Sequence, residues 1–395
     1  WDFDDGTFSN EYSPTHQYLL PGVYNVTMTA NVVGTNCTDY SNCEVEVFES
    51  SDRVGGRVAT DVIDGYRLDR GLQLINARYP ELIRLGIIAE LDFTEASRSI
   101  EISLGESHIS LGDPRLHPFS ALNSETGSIF TKLGFLSYLA GTSKAGLSVE
   151  DELAQYGNLY TRVLKPFLSG VFLTSPASVD AVSGKEIIRS LVSGKPGLPA
   201  QGVGELSKAL ARRVKTIHLN ARIDAISHCK ADSVIVATDV TTAAQLLDIP
   251  NVPKLASSTT WYHEMPHGVT TSKNLHIDGQ ARGPVINSLA ISNMVPTYAP
   301  TGKTLLSSTT IDFASESEVR RHLSIMWGVS TSDWALIAKY EIPAALPIHN
   351  VGRALTQSVK VSEDLFVVGD HRAVPSQQGA LFSGRLAAEL ILNQS

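Results

Sequence analysis

The stretch Glu49 to Gln73, ESSDRVGGRVATDVIDGYRLDRGLQ, constrains this chain more than any other. A short apolar run, Val45-Glu46-Val47-Phe48, ends on an acid, Glu49. Two adjacent glycines, Gly55 and Gly56, then sit between Arg53 and Arg57. An acid at the C-terminal end of a parallel strand is the group that holds a ribose through its hydroxyls in a dinucleotide fold. Paired glycines let backbone N–H groups approach a phosphate, and flanking guanidiniums supply charge to it. The same letters also describe a plain strand–turn–strand, with the glycines only turning the chain. Segments further along decide between the two.

The last of these is Asp364 to Leu392. An apolar run, Leu365-Phe366-Val367-Val368, leads into Gly369-Asp370, and Pro375-Ser376 then caps a helix starting at Gln377. A strand-end acid beside a helix N-terminus suits a ligand bearing both hydroxyls and electron-rich oxygens. In the middle of the chain, Glu205 to Val214 predicts a helix with Leu206, Ala209, Leu210 and Val214 on one face. Two strands follow, Ile217 to Ile223 and Ser233 to Thr238, and the adjacent His228 and Cys229 between them read as a loop without catalytic partners. Ser148 to Leu173 predicts a single helix with Leu153, Tyr156, Leu159, Tyr160, Val163 and Leu164 as its apolar positions.

On these residues the chain resembles the FAD-dependent amine oxidase, protoporphyrinogen oxidase and phytoene desaturase superfamily. Its signature, an acid, three residues and then R-x-G-G-R, is matched by Glu49, Arg53, Gly55, Gly56 and Arg57. Tyr66 to Gly71, the P-F-L-x-G-V-F run at Pro166 to Phe172, Leu198 to Gly204 and a hairpin at Met294 to Lys303 continue the likeness in order. The resemblance implies an α/β (α+β) chain whose incomplete Rossmann-like FAD-binding domain spans 45–80, 198–250 and 350–395. A mixed sheet-and-helix substrate domain then spans 81–197 and 251–349. It implies FAD as cofactor, with Gly71 beside the ring system and the backbone at Ile223 on the adenine. Gly369 and Asp370 fall at the ribityl or pyrophosphate region, and the amides of Gln378, Gly379 and Ala380 at the pyrimidine edge. The implied reaction oxidises a C–N or C–C bond of a small apolar or amine-bearing molecule by hydride transfer to the flavin. No acid or base is tied to a motif.

Residues 1–44 differ in character. The order W-D-F-x-D-G, P-T-H-x-Y and P-G-x-Y-x-V resembles the second half of a PKD-type immunoglobulin-like domain, and Val26, Met28, Ala30 and Val32 alternate with polar residues as half-buried sandwich strands do. Ahead of Glu49 the only glycines are Gly6, Gly22 and Gly34, so the G-x-G-x-x-G turn of a dinucleotide site is not in its usual place. A PKD-type segment stands where the first βα unit belongs. Val45 to Val47 fits either as a sandwich strand or as the second strand of the flavin domain. Three readings follow: a flavin-dependent oxidoreductase, a family member or chimeric product that holds no cofactor, and an extracellular binding module built on the N-terminal segment.

Composition narrows these. A net charge of −9, without a basic block, excludes a general nucleic-acid binder. No apolar run approaches bilayer length, and the N-terminus lacks the pattern of a signal peptide. Three cysteines, Cys37, Cys43 and Cys229, neither build a disulfide framework nor have metal-site spacing. A cytoplasmic location is expected, or an extracellular one if the PKD-like segment dominates, with Cys37–Cys43 pairing and the sequons at Asn25 and Asn36 then in play.

Overall fold

The computed structural model describes residues 44–112, 122–249 and 251–393. The expected N-terminal strands, Cys37, Cys43 and both sequons lie outside the described residues, as does Asp113-Pro114. Strand β1 (Glu46–Phe48) leads through the glycine pair into a hairpin of β2 (Thr60–Ile63) and β3 (Tyr66–Asp69). Its turn residues Asp64 and Gly65 both take positive φ, 49° and 82°, which matches the twist of the flanking strands. After β4 (Ile75–Asn76), helix α1 (Pro80–Leu85) starts on a proline, whose missing N–H costs nothing there. Strands β5 (Phe93–Glu95), β6 (Ser99–Leu104) and β7 (Ser107–Gly112) follow, then helices α2 (Ile129–Ala140), α3 (Val149–Leu153), α4 (Lys165–Phe172) and α5 (Ala181–Ser193). Next come β8 (Pro196–Pro199), α6 (Gly204–Ala211), β9 (Thr216–His218), β10 (Val234–Val236) and α7 (Val240–Leu247). The last third holds β11 (Leu255–Met265), β12 (Leu275–Asp278), β13 (Val285–Leu289), α8 (Ile291–Met294), β14 (Thr304–Thr310), α9 (Glu316–Trp327), β15 (Ala335–Pro347), β16 (Leu365–Val367) and α10 (Gln377–Leu392).

The largest sheet has seven strands in the order β15-β11-β14-β13-β12-β6-β7. It is mixed, since β12 and β6 run parallel while its other pairs are antiparallel. Side chains alternate across it: Trp261 and Leu306 face α9, while Tyr262 and Leu305 face the β2–β3 hairpin. Helices α3, α4 and α5 bury Leu153, Leu168, Phe172 and Ile188 against Ile102 and Ile277 of β6 and β12. Apolar burial of this kind is worth about 1.5–3 kcal/mol for each large side chain.

Apart from this sheet stand two parallel pairs, β1 with β9 and β10 with β16. Among the described residues neither pair continues into a wider parallel sheet, and Phe48 and Ile235 remain 49% and 41% exposed. Helices α1 and α10 meet beside them: Gln378 Oε1 accepts from the Glu81 amide at 3.0 Å, and the Glu81 carboxylate accepts from Arg385 Nε at 3.0 and 3.1 Å.

Several expectations need correction. The single helix over 148–173 is broken at Gly157, where φ 50° and ψ −122° leave the helical region, and a wider π-type turn spans Tyr160–Leu164. Strand β9 stops at His218 because Asn220 turns the chain with φ 54°, so Ile223 lies beyond the strand. The expected hairpin at Met294 to Lys303 is the end of α8 and a 3₁₀ turn, Pro296–Tyr298, since Pro296 has no N–H to give a strand ladder.

Candidate functional site

Glu49 stands at the end of β1, where its Oε1 accepts from Ser51 N and Ser51 Oγ, both at 2.8 Å. Its Oε2 has no partner among the described residues and remains open to a hydroxyl. The Glu49 carbonyl accepts from the Ala221 amide at 2.9 Å, which brings the half-buried Ile223 segment alongside. That bond is the link between Glu49 and the segment carrying Ile223.

Arg53 does not reach outward. Its guanidinium donates to the carbonyls of Gly56, at 3.1 Å, and Val54, at 3.3 Å, and so stiffens the loop. The two glycines have separate reasons to be there. At Gly55, with φ +103°, a Cβ would come within 2.5 Å of Val58 O and 2.6 Å of Ser207 Oγ, so this glycine admits close packing on α6. At Gly56, with φ +51°, a Cβ would meet nothing within 4 Å, leaving its backbone open to a ligand.

Arg57 forms a bidentate pair with Asp370, Nη2 to Oδ1 and Nη1 to Oδ2, each at 2.8 Å, and also donates to Ala345 O at 2.8 Å. Burial pulls the Arg57 guanidinium down, but the Asp370 bond and charge outweigh it and its pKa is raised. Gln73 Nε2 donates to Arg57 O at 2.9 Å and holds the Gly71 turn, with φ +105°, against the same loop. Arg57, Gly71 and Asp370 thus form a cluster.

At the head of α10, Ser376 Oγ accepts from the Gly379 amide at 3.0 Å, and Ser376 O accepts from the Ala380 amide at 3.0 Å. The amides expected at a ligand edge are therefore partly spent: Gly379 and Ala380 serve the helix, whereas those of Gln377 and Gln378 have no backbone partner. Gly379 has a packing role, since a Cβ there would fall 2.0 Å from Val374 O. At Gly369, φ is +144° and a Cβ would strike the His371 ring at 2.7 Å.

One group was missed in the sequence. Asp69, only 1% exposed, accepts from Thr60 Oγ1 at 2.5 Å, Tyr298 OH at 2.7 Å and Val203 N at 3.1 Å, while its carbonyl accepts from Tyr262 OH at 2.8 Å. It ties β2, α6 and the large sheet together two residues before Gly71. Burial drives its pKa up to about 6 although all three bonds act to lower it. Alternation along β3 gave no signal for it, because Asp69 falls on the opposite parity from the buried Tyr66 and Leu68 and is nonetheless buried at the strand's end.

Buried polar atoms without partners gather at the Asp370 turn: both ring nitrogens of His371, Arg372 Nε and Gln377 Oε1. These atoms, the open Glu49 oxygen and the uncrowded space beside Gly56 fit a ligand with hydroxyls at one end and oxyanions at the other. Among the described residues no cluster of three or more His, Cys, Asp or Glu could hold a metal, and no helix is long and apolar enough to cross a membrane.

Residues 40–392 match the family described as flavin containing amine oxidoreductase, and residues 1–47 match the PKD domain. The chain belongs to the flavin containing amine oxidoreductase family, and that membership supports an oxidoreductase with a flavin as the implied cofactor. Solved structures share its fold at low identity. An oxidoreductase from Methanosarcina mazei is 15% identical with a TM-score of 0.67, over 88% of this chain and 95% of that one. Putrescine oxidase bound to putrescine is 15% identical with a TM-score of 0.64, over 89% and 94%. Reduced UDP-galactopyranose mutase is 13% identical with a TM-score of 0.63, over 88% and 90%. No curated protein sequence matches significantly.

Proposed function

We propose that this chain binds FAD and oxidises a C–N or C–C bond of a small apolar or amine-bearing substrate. The observation that carries this reading is the gathering of Arg57 and Asp370, 313 residues apart, beside a helix head with open amides. When bound, the flavin supplies the redox chemistry by accepting a hydride equivalent. The chain's own part is to hold and orient. Glu49 Oε2 accepts from a ribose hydroxyl, the Gly56 backbone and Arg57 meet the phosphates, and Asp370 accepts from a hydroxyl once Arg57 turns to the ligand. The division into a nucleotide side (45–80, 198–250, 350–395) and a substrate side (81–197, 251–349) belongs to the same reading. It is supported by the parallel pairs of the first and the seven-stranded sheet of the second.

The test is reconstitution of the purified chain with FAD. Bound flavin should appear in the visible spectrum and raise the melting temperature, because a ligand for the native state stabilises it. Glu49→Gln should weaken FAD by about 10- to 100-fold, the worth of a hydrogen bond to a charged group, and leave FMN binding unchanged. No flavin band together with no thermal shift sinks the proposal. That result would favour a second reading, a family member that holds no cofactor, to which the mutual satisfaction of Arg57 and Asp370 also points.

A further inference from the structure

We propose that Arg353, Arg372 and His371 form an oxyanion-binding site beside the head of α10, suited to a phosphate or diphosphate ester. Two loops build it. The Gln357 amide donates to Arg372 O at 2.7 Å, and Arg353 Nη2 donates to His371 O at 3.1 Å, so the segment before β16 is stitched to the turn after it. Both guanidiniums are half-buried, yet neither has a carboxylate within ion-pair distance among the described residues. Arg353 binds only the carbonyls of Asn251 and His371, and Arg372 only that of Ser358.

Arg372 Nε is buried with no acceptor, and His371, 3% exposed, has none for either ring nitrogen. Burial and then the neighbouring Arg353 lower the pKa of Arg372. Burial lowers that of His371 to about 4; the charges of Arg372, Arg353 and Arg57 add to this and that of Asp370 opposes it. A neutral His371 offers one N–H donor.

The nearby acids are engaged elsewhere. Asp370 is held by Arg57. Asp239 caps α7 through the amides of Thr241 and Thr242, and Asp180 caps α5 and accepts from the Gly352 amide at 2.9 Å. Half-buried like charges with donors left open are stabilised by an anion that enters among them, and the open amides of Gln377 and Gln378 favour the same charge. On the flavin reading above, the occupant is the cofactor's diphosphate, and that assignment rests on the reading; the site itself does not.

Inorganic pyrophosphate is the probe, titrated calorimetrically into the full chain. Wild type should bind it with an affinity that falls as salt rises. Arg353→Gln with Arg372→Gln should lose about tenfold or more, while lysine at both positions should keep most of it, since charge is retained. Circular dichroism checks that the variants fold. If the glutamine variant does not fold, competition on wild type decides: pyrophosphate should weaken FAD binding but not riboflavin binding.

Absence of pyrophosphate binding to wild type overturns the site. So does equal binding by a folded glutamine variant, or FAD binding that pyrophosphate never affects. Pyrophosphate binding without any FAD binding keeps the site and removes only the flavin reading.

Discussion

Asp69→Asn isolates the electrostatic cost of the buried knot that joins the Gly71 turn to the large sheet. Asp69 titrates at 3.8 in an ordinary environment and is pushed up to about 6 here by burial. The folded state therefore holds its proton more tightly than the unfolded state. The stability this group provides is fully present below 3.8, falls as pH rises between 3.8 and about 6, and is gone above that. Two pH units at about 1.4 kcal/mol each amount to about 3 kcal/mol. An asparagine removes the titration and keeps the shape. Its Oδ1 can still accept from Thr60 and the Val203 amide, while its Nδ2 faces the Tyr298 hydroxyl, which loses its own acceptor at a cost of about 1 kcal/mol. The variant should thus be less stable than wild type near pH 4 and more stable by about 2 kcal/mol near pH 7.5. Urea unfolding of both proteins at steps across that range measures the difference. A difference that stays flat, or wild type gaining on the variant as pH rises, would refute the reasoning, because the hydrogen bonds would then have outweighed burial.

Two further outcomes follow from backbone geometry. Gly55→Ala combines a φ of +103° with a Cβ 2.5 Å from Val58 O, and should cost about 2–4 kcal/mol in a thermal melt. An unchanged melting temperature would show that the contact with α6 is not tight. Ser376→Ala removes the cap on the Gly379 amide and should cost about 1 kcal/mol, with Ser376→Asp recovering it. Equal losses from both substitutions would exclude the cap.

The parts of the site that could be read in the sequence are those written in short spans. The apolar run into Gly369-Asp370 and the Pro375-Ser376 cap predict β16 and α10 almost to the residue, because strand, turn and cap are local choices. Glu49 and the glycine pair are legible for the same reason. What escaped is set by distance along the chain. No local pattern says that Asp370 will spend its carboxylate on Arg57, or that Gly55 is a glycine for the sake of Ser207. The break at Gly157 escaped for a different reason, since the apolar spacing around it fits one unbroken helix, while the glycine that takes the non-helical φ and ψ was the only local sign of it. Asp69 was hidden in plain view, flanked by Arg70 and Gly71 in a stretch that reads as an exposed strand end.

The joint between α1 and α10 sets an order of events during synthesis. Glu81 finds the acceptor for its amide at Gln378, 297 residues later, and the cation for its carboxylate at Arg385, 304 residues later. Strand β10 likewise waits for β16. The segment carrying Glu49 and the glycine pair leaves the ribosome before α10, so α1 gains these partners only once α10 has emerged. Contacts of such separation are slow to form, because loop closure comes before any reward. A nascent chain stalled short of α10 would leave Leu82 and Ile87 without part of their cover, and that state is the one exposed to proteases and chaperones.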